Sequence, residues 1–204
     1  MGAVGRSLII GCAVVGGVAL FAAPATAAGK TAELRAVWSI FSGEIRRSTE
    51  GVNDFAQATA DNVRECDAAS SSQQNGTPLE EMEQPYGEWW NVEIATADTN
   101  KIAPGVAKAV SHLKVTLELI LPASRKLGAT ARGNVIRATS KLHKAIVSRG
   151  DAVTKLRGAN RAAGQHLCGD AHQWGADFEE LADDANADSR AGRKLIEAVL
   201  KANP

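Results

Sequence analysis

The sequence predicts an all-α protein, an elongated antiparallel bundle of about four main helices that run up-down-up-down and are stapled by one disulfide. Apolar residues recur at spacings of three and four over long stretches, which is typical of helices that pack side by side as in a coiled coil. Alanine, leucine, glutamate, lysine and arginine are abundant, and valine, isoleucine and threonine form no alternating strand pattern.

Residues 1–27 have the layout of a secretory signal peptide. Arg6 supplies a positive charge, Leu8–Phe21 is an apolar run, and Ala25–Ala27 is a small-residue cleavage pattern. We therefore expect a secreted, extracellular or cell-surface protein without stable membrane insertion after cleavage. Two alternatives stay open, namely an uncut membrane anchor and a lipoprotein that carries its lipid on Cys12.

The mature chain, 28–204, is predicted to be a single helical-bundle domain that begins with a helix over Thr31–Cys66. Ten residues lie on one side of this helix: Leu34, Trp38, Phe41, Ile45, Ser48, Val52, Phe55, Thr59, Asn62 and Cys66. Trp38 is assigned to the core. The three polar members of the stripe predict either a polar core layer or a turn of the stripe toward solvent.

A surface loop is predicted at about 67–87, because serine, glutamine, asparagine, glycine and proline follow one another there. Asn75 begins the sequence Asn-Gly-Thr and is a candidate glycosylation site if the host is a eukaryote. In most bacteria the same triplet indicates only an exposed turn.

The next segment predicts a short helix near Glu88–Ala97 and breaks at Asp98–Asn100 and at Pro104–Gly105. A second helix is expected from the proline onward. Pro122 should kink that helix or end it one turn early, because proline lacks the backbone N–H and clashes with the preceding turn. Gly128 is predicted to be the C-terminal stop.

Two further helices are predicted, over Thr130–Gly164 and from a cap at Asp170 to about Lys201. Between them, Gly164–Gly169 is the expected break. The first of the two has the stripe Val135, Thr139, Leu142, Ile146, Arg149, Val153, Leu156, Asn160 and Ala163. Trp174 lies on the apolar stripe of the last helix and is assigned to the core.

Cys66 ends the first predicted helix and Cys168 begins the last, so an antiparallel bundle places both at one pole. In an exported chain an even pair of cysteines indicates a disulfide. The alternative is two separately engaged thiols.

The net charge is zero, but the charges are segregated along the chain. Residues 30–100 hold 13 acidic and 5 basic residues, 101–165 hold 13 basic and 2 acidic, and 166–204 hold 8 acidic and 4 basic. We expect the basic middle hairpin to pack between acidic outer helices. A basic face for anionic glycans or lipids is the alternative, whereas export argues against nucleic acid as a partner.

The sequence predicts no enzyme, because it has no phosphate-binding loop, no Gly-x-Ser-x-Gly, no His-Glu-x-x-His and no poised carboxylate pair. We therefore expect no catalytic residue, no cofactor and no metal. His166, Cys168 and His172 could suggest a metal or haem site, but the predicted disulfide removes the thiol as a ligand.

The expected function is surface recognition, with Tyr86, Trp89 and Trp90 as the candidate binding surface and a host or cell-surface macromolecule as the partner. The same aromatics could instead cap the end of the bundle. The alternative function is a carrier of haem or a lipid in the bundle core, whose cavity the following polar stripe members would mark: Ser48, Thr59, Asn62, Thr139 and Asn160.

The signal peptide, long heptad helices, disulfide pole and sparse sequon give a general plan that resembles the helical-bundle coat and receptor proteins of parasitic protozoa. The resemblance implies a bundle that works by recognition at a cell surface. The chain departs from that plan at Leu195–Pro204, which lacks the apolar tail that a GPI anchor requires.

Overall fold

The computed structural model describes residues 29–74 and 87–204, and this part of the chain is 91% helical and contains no strand. The helices are α1 (Ala32–Gln74), α2 (Gly87–Glu118), α3 (Ile120–Ala123), α4 (Ala129–Gly164) and α5 (Cys168–Ala202). The four long helices form the predicted bundle, and the single turn α3 forms a corner between α2 and α4. The all-α prediction is confirmed.

The four long helices do not enclose the core evenly. The α4–α5 interface is the largest, α1 packs on α2, and α2 packs on α4. In contrast, α1 and α5 meet only sparsely, although they are the two helices that should close the ring. One side of the bundle is therefore open.

The main core joins apolar residues of all five helices, and its largest fully buried members include Phe41, Phe55, Leu113, Leu142 and Ile196. Trp38 is 7% exposed in this cluster, as predicted. A second, smaller cluster lies at the disulfide pole and consists of Val63, Cys66, Ala162, Ala163 and Ala171. The core is thus thick at the pole that holds the chain ends and thin at the disulfide pole.

The first helix is longer than predicted. It continues about two turns beyond Cys66 to Gln74, so the loop predicted at 67–87 cannot begin at 67. The serines and glutamines there are compatible with a helix, and the first strong helix breakers are Gly76 and Pro78. Residues 75–86 lie outside the described part of the chain.

The break predicted at Asp98–Asn100 and Pro104 is wrong, because α2 runs through both without interruption. Three hydrogen bonds from α4 hold this stretch. The Arg157 guanidinium donates to the Ala103 carbonyl at 3.3 Å, and the Asn160 amide donates to the Thr96 carbonyl at 3.2 Å and to Asn100 Oδ1 at 3.0 Å. Packing against α4 thus outweighs the local cost of the proline.

The prediction for Pro122 is confirmed, since α2 ends at Glu118 and only the turn α3 surrounds the proline. Gly128 does not act as a C-terminal stop. It is the N-cap residue of α4, with φ −63° and ψ 159°. Asp170 is not the cap of α5 either, because the N-cap residue is Leu167 and Asp170 lies in the first turn, where its charge favours the helix dipole.

The two chain ends meet at the pole opposite the disulfide. Thr31 Oγ1 donates to the carbonyl of Asn203 at 2.8 Å, and the Arg35 guanidinium donates to the carbonyl of Leu200 at 2.5 Å. These bonds satisfy free carbonyls at the end of α5. Here α1 and α5 are closely joined.

Among the described helices, none combines the length and apolar character needed to cross a membrane.

Candidate functional site

The disulfide pole is the most constrained part of the open side. Cys66 of α1 and Cys168 of α5 form the predicted disulfide, with their Cα atoms 5.7 Å apart. Beside it, His172 Nε2, four residues after Cys168, lies 2.8 Å from a carboxylate oxygen of Asp67, the residue after Cys66. Both contacts join α1 to α5, so the two helices are tied here and at the chain ends.

Between these two ties, α1 and α5 stand apart and leave a groove of about 900 Å³, which we call the α1–α5 groove. Its volume lies within the range of small-molecule sites. Small residues of both helices line it where larger side chains would close it: Ala56, Ala60, Ala171, Gly175, Ala176 and Ala182. Because the helices on its two sides are joined to each other at both ends, the groove is a fixed part of the fold.

The groove has an apolar floor and a polar rim. Val63, Leu156 and Ala159 are buried beneath it, and Phe178 of α5 is half-buried at its side. His172 lines it as well, and the charged residues that line it are of both signs: Arg64, Glu179 and Asp183. An apolar floor beneath a polar rim suits a ligand that has an apolar part and a polar part.

At the groove end that lies away from the disulfide, a small cavity of about 20 Å³ adjoins it, and Asn53 and Ala182 line both spaces. Arg149 of α4 faces this cavity and is only 4% exposed. In the described part of the chain, no carboxylate lies within ion-pair distance of Arg149 and its guanidinium donates no hydrogen bond. Burial lowers the pKa of Arg149, but an arginine remains a cation in any ordinary buffer.

Asn62 and Asn160 of the stripes form a hydrogen-bonded layer in the core, whereas Ser48 Oγ is buried without a partner among the described residues. Asn62 Nδ2 donates to Asn160 Oδ1 at 2.7 Å and to Thr96 Oγ1 at 2.9 Å. Thr59 and Thr139 each donate to the carbonyl four residues before them. Of the five residues predicted to mark a carrier cavity, only Thr59 lines the α1–α5 groove. The hydrogen bonds of Asn62 and Asn160 therefore hold α1, α2 and α4 against one another.

The predicted aromatic surface is divided. Trp89 is half-buried and packs against the small core cluster, where its ring stacks on His166 with centroids 3.9 Å apart. This contact fits the capping interpretation. Trp90, the next residue, is 61% exposed. Tyr86 and Asn75 lie outside the described residues.

Trp174 is not a core residue, because it is 37% exposed. Its ring lies close against α4 where Gly158 leaves room, since a Cβ there would come within 2.6 Å of the ring. Lys155 Nζ lies 4.5 Å from the ring centroid. The apolar stripe of α5 thus turns onto the outside of α4 at this point.

The basic helix α4 is partly neutralised by its acidic neighbour. Lys141 pairs with Asp188 at 2.9 Å, and Lys155 pairs with Asp177 at 2.7 Å. The hydrogen bond from Lys155, with a second one from Gln173, holds the pKa of Asp177 below its usual value. These pairs agree with the expected packing of basic against acidic helices.

Within residues 29–74 and 87–204, no group of three or more histidine, cysteine, aspartate or glutamate side chains could hold a metal ion. His166 stacks on Trp89, His172 pairs with Asp67, and Cys168 is in the disulfide. The three residues considered for a metal or haem site are therefore engaged in other contacts.

Sequence reasoning missed the groove and its cationic end. Arg149 occupies a position in the apolar stripe of α4. A charged residue at such a core position is the feature of the sequence that could have indicated the cationic end of the groove. The alanines of the groove gave no such signal, because alanine is common on every face of these helices.

The chain matches no protein-family model, and comparison with curated proteins and with solved structures gave no match either.

Proposed function

We propose that this chain is an exported, non-catalytic binding protein that recognises its partner at the disulfide pole and along the α1–α5 groove. The observation that carries the proposal is the groove itself, which is open to solvent and has helices joined at both of its ends. A site preformed in this way loses little conformational freedom on binding.

Export is part of the proposal. It rests on the signal-peptide pattern of residues 1–27, and the Cys66–Cys168 disulfide is compatible with an oxidising compartment. We propose a host or cell-surface macromolecule as the partner. The exposed Trp90, next to the pole, is the type of side chain that dominates binding energy at protein interfaces.

A second candidate function is a lipid carrier, and the apolar floor of the α1–α5 groove favours it. Leu156, Ala159 and Phe178 offer a surface for a hydrocarbon chain. Haem fits less well, because His172 is the only histidine among the described groove residues and it is paired with Asp67.

Photo-crosslinking from α2 tests macromolecular recognition. A photoreactive phenylalanine derivative replaces Trp90 in one variant and Val115 in another. Val115 is the control, because the two residues are similarly exposed, at 61% and 63%, and lie about 37 Å apart along the same helix. On the native host's intact target cells, we expect a protein adduct of one defined mass from position 90 and none from position 115. Equal adducts from both positions, or none from either, would contradict recognition at this pole.

Mass spectrometry of an organic extract tests the carrier function. Protein purified from its native host should release a lipid in near-stoichiometric amount if the groove is a carrier site. An extract free of lipid, together with an adduct from position 90, would leave recognition alone.

A further inference from the structure

We propose that the α1–α5 groove binds a single-chain carboxylate amphiphile, such as a fatty acid, with the carboxylate on Arg149 and the hydrocarbon chain along the groove floor. The proposal rests on the carrier function proposed above and names its ligand class. It follows from the charge, the size and the position of the small cavity.

The charge argument starts from Arg149. It is the only charged residue that is buried among the described residues. A buried charge is costly unless a partner of opposite charge or a set of hydrogen bonds compensates it. Since no described side chain supplies either for Arg149, whatever enters the cavity that it faces, water or an anion, compensates its charge, and an anion does so with an opposite charge.

The residues around Arg149 indicate which anionic head group of a ligand the cavity would bind. Asn53 and Asn186 also line the cavity, and their amides donate no hydrogen bond to other described groups, so both are free to donate to an anion. Thr49 already donates to the carbonyl of Ile45. A cavity of about 20 Å³ has room for a group not much larger than a water molecule. A planar carboxylate, which matches the guanidinium fork, fits better than a bulky phosphate ester.

The position of the cavity beside the groove indicates what the remaining part of the ligand must be. It adjoins the end of the groove at Asn53, and the groove follows α1 from there to Arg64, which is about 16 Å at the helical rise. Along this path the floor is apolar and the charges of the rim are mixed in sign. A molecule that satisfies both spaces therefore has one anionic end and one flexible apolar chain.

Isothermal titration calorimetry of the mature chain, 28–204, with decanoate and with decanol tests the head-group assignment. We expect decanoate to bind at least about tenfold more tightly than decanol, as loss of a charged hydrogen bond predicts. Arg149→Met should abolish this preference and leave decanol binding unchanged. The matched control Arg161→Gln removes an exposed cation of the same helix outside the groove and should leave both affinities unchanged.

The carboxyl signal of decanoate labelled with ¹³C at that carbon gives a direct readout of the contact. It should shift on binding to the wild-type protein and lose that shift with Arg149→Met. Because decanoate and decanol can be compared on the unaltered protein, the test remains decisive if that variant does not fold.

The outcomes separate this inference from the functions on which it rests. Equal binding of decanoate and decanol would overturn the role of Arg149 and keep the groove as a lipid site. Absence of binding by both would overturn the inference and the carrier function together. Recognition of a macromolecule would then be decided by the crosslinks from position 90.

Discussion

Single residues set how closely the two most extensively packed helices approach each other. Gly192 of α5 is buried against α4, and a Cβ on it would lie 2.6 Å from Leu142 Cγ and 3.1 Å from the carbonyl oxygen of Ala138. Leu142 is itself 1% exposed and cannot swing into solvent. The absence of a side chain at Gly192 is therefore required by packing.

Substitution of Gly192 by alanine should destabilise the protein by roughly 1–3 kcal/mol, the range for overpacked cores. Gly175 of the same helix is the matched control, because a Cβ there meets nothing within 4 Å. Gly175→Ala should stabilise the fold by about 0.5–1 kcal/mol through helix propensity. Urea denaturation of both variants measures the two effects, and equal stabilisation by both would contradict the close approach of α4 and α5.

Residue identity alone could predict some of these roles and not others. Trp38 was placed in the core correctly because its stripe continues on both sides of it. Trp174 also stands on an apolar stripe, as its first member, but Gly158 of α4 leaves room for its ring on the outside of that helix. That outer surface belongs to a neighbouring helix, so no local pattern in α5 indicates it.

At the scale of helices, the predicted number and order are right and the interruptions are partly wrong. Pro122 and Pro104 have the same local effect, since each removes one backbone donor. The helix α2 ends before Pro122 but passes Pro104, where Arg157 and Asn160 of α4 donate to its backbone. The difference comes from residues more than 50 positions away, which a local pattern does not contain.

The disulfide joins two long helices that otherwise meet only sparsely, and its loss should be costly. The bridge spans a sequence separation of 102 residues, for which the chain-entropy model gives about 4 to 5 kcal/mol. The double variant Cys66→Ser, Cys168→Ser should lower the free energy of unfolding by roughly that amount.

Chemical denaturation of the double variant and of the wild type with and without reductant measures the effect of the disulfide. Reductant should weaken the wild type and leave the double variant unchanged. A wild type that is indifferent to reductant would show that the thiols are not paired in solution.

The α1–α5 groove also belongs to the scale of helices, and this explains why it was not predicted. A heptad pattern shows that each helix has an apolar side. It does not show how closely each pair of the four helices packs in the common core. The polar layer around Asn62 and Asn160 fixes α1 against α2 and α4. The remaining pair, α1 and α5, is left with alanines too small to fill the space.

For the whole molecule, export and the disulfide can be tested by one measurement. Intact-mass spectrometry of the protein secreted by its native host should give a chain that starts near Ala28 and gains two hydrogen atoms on reduction. Additional mass in N-acetylhexosamine and hexose units would indicate a glycan, for which Asn75 in the only sequon of the chain is the candidate site.

A retained N-terminus, or lipid on Cys12, would contradict the predicted cleavage and indicate an anchored protein. The Cys66→Ser, Cys168→Ser variant is the control, because its mass should not change on reduction. Trypsin digestion of the same sample would place any added mass on its peptide.

The meeting of the chain ends at one pole determines how the molecule would respond to mechanical load. A pull on residues 29 and 204 acts on α1 and α5 from the same side, so it would break the Thr31–Asn203 and Arg35–Leu200 contacts one after another. Separation of α1 from α5 would then run along the groove, where the two helices touch each other only sparsely, and stop at Cys66–Cys168. Covalent linkage there removes the 102-residue span from the load path, so α2 and the whole of α4 would carry no tension.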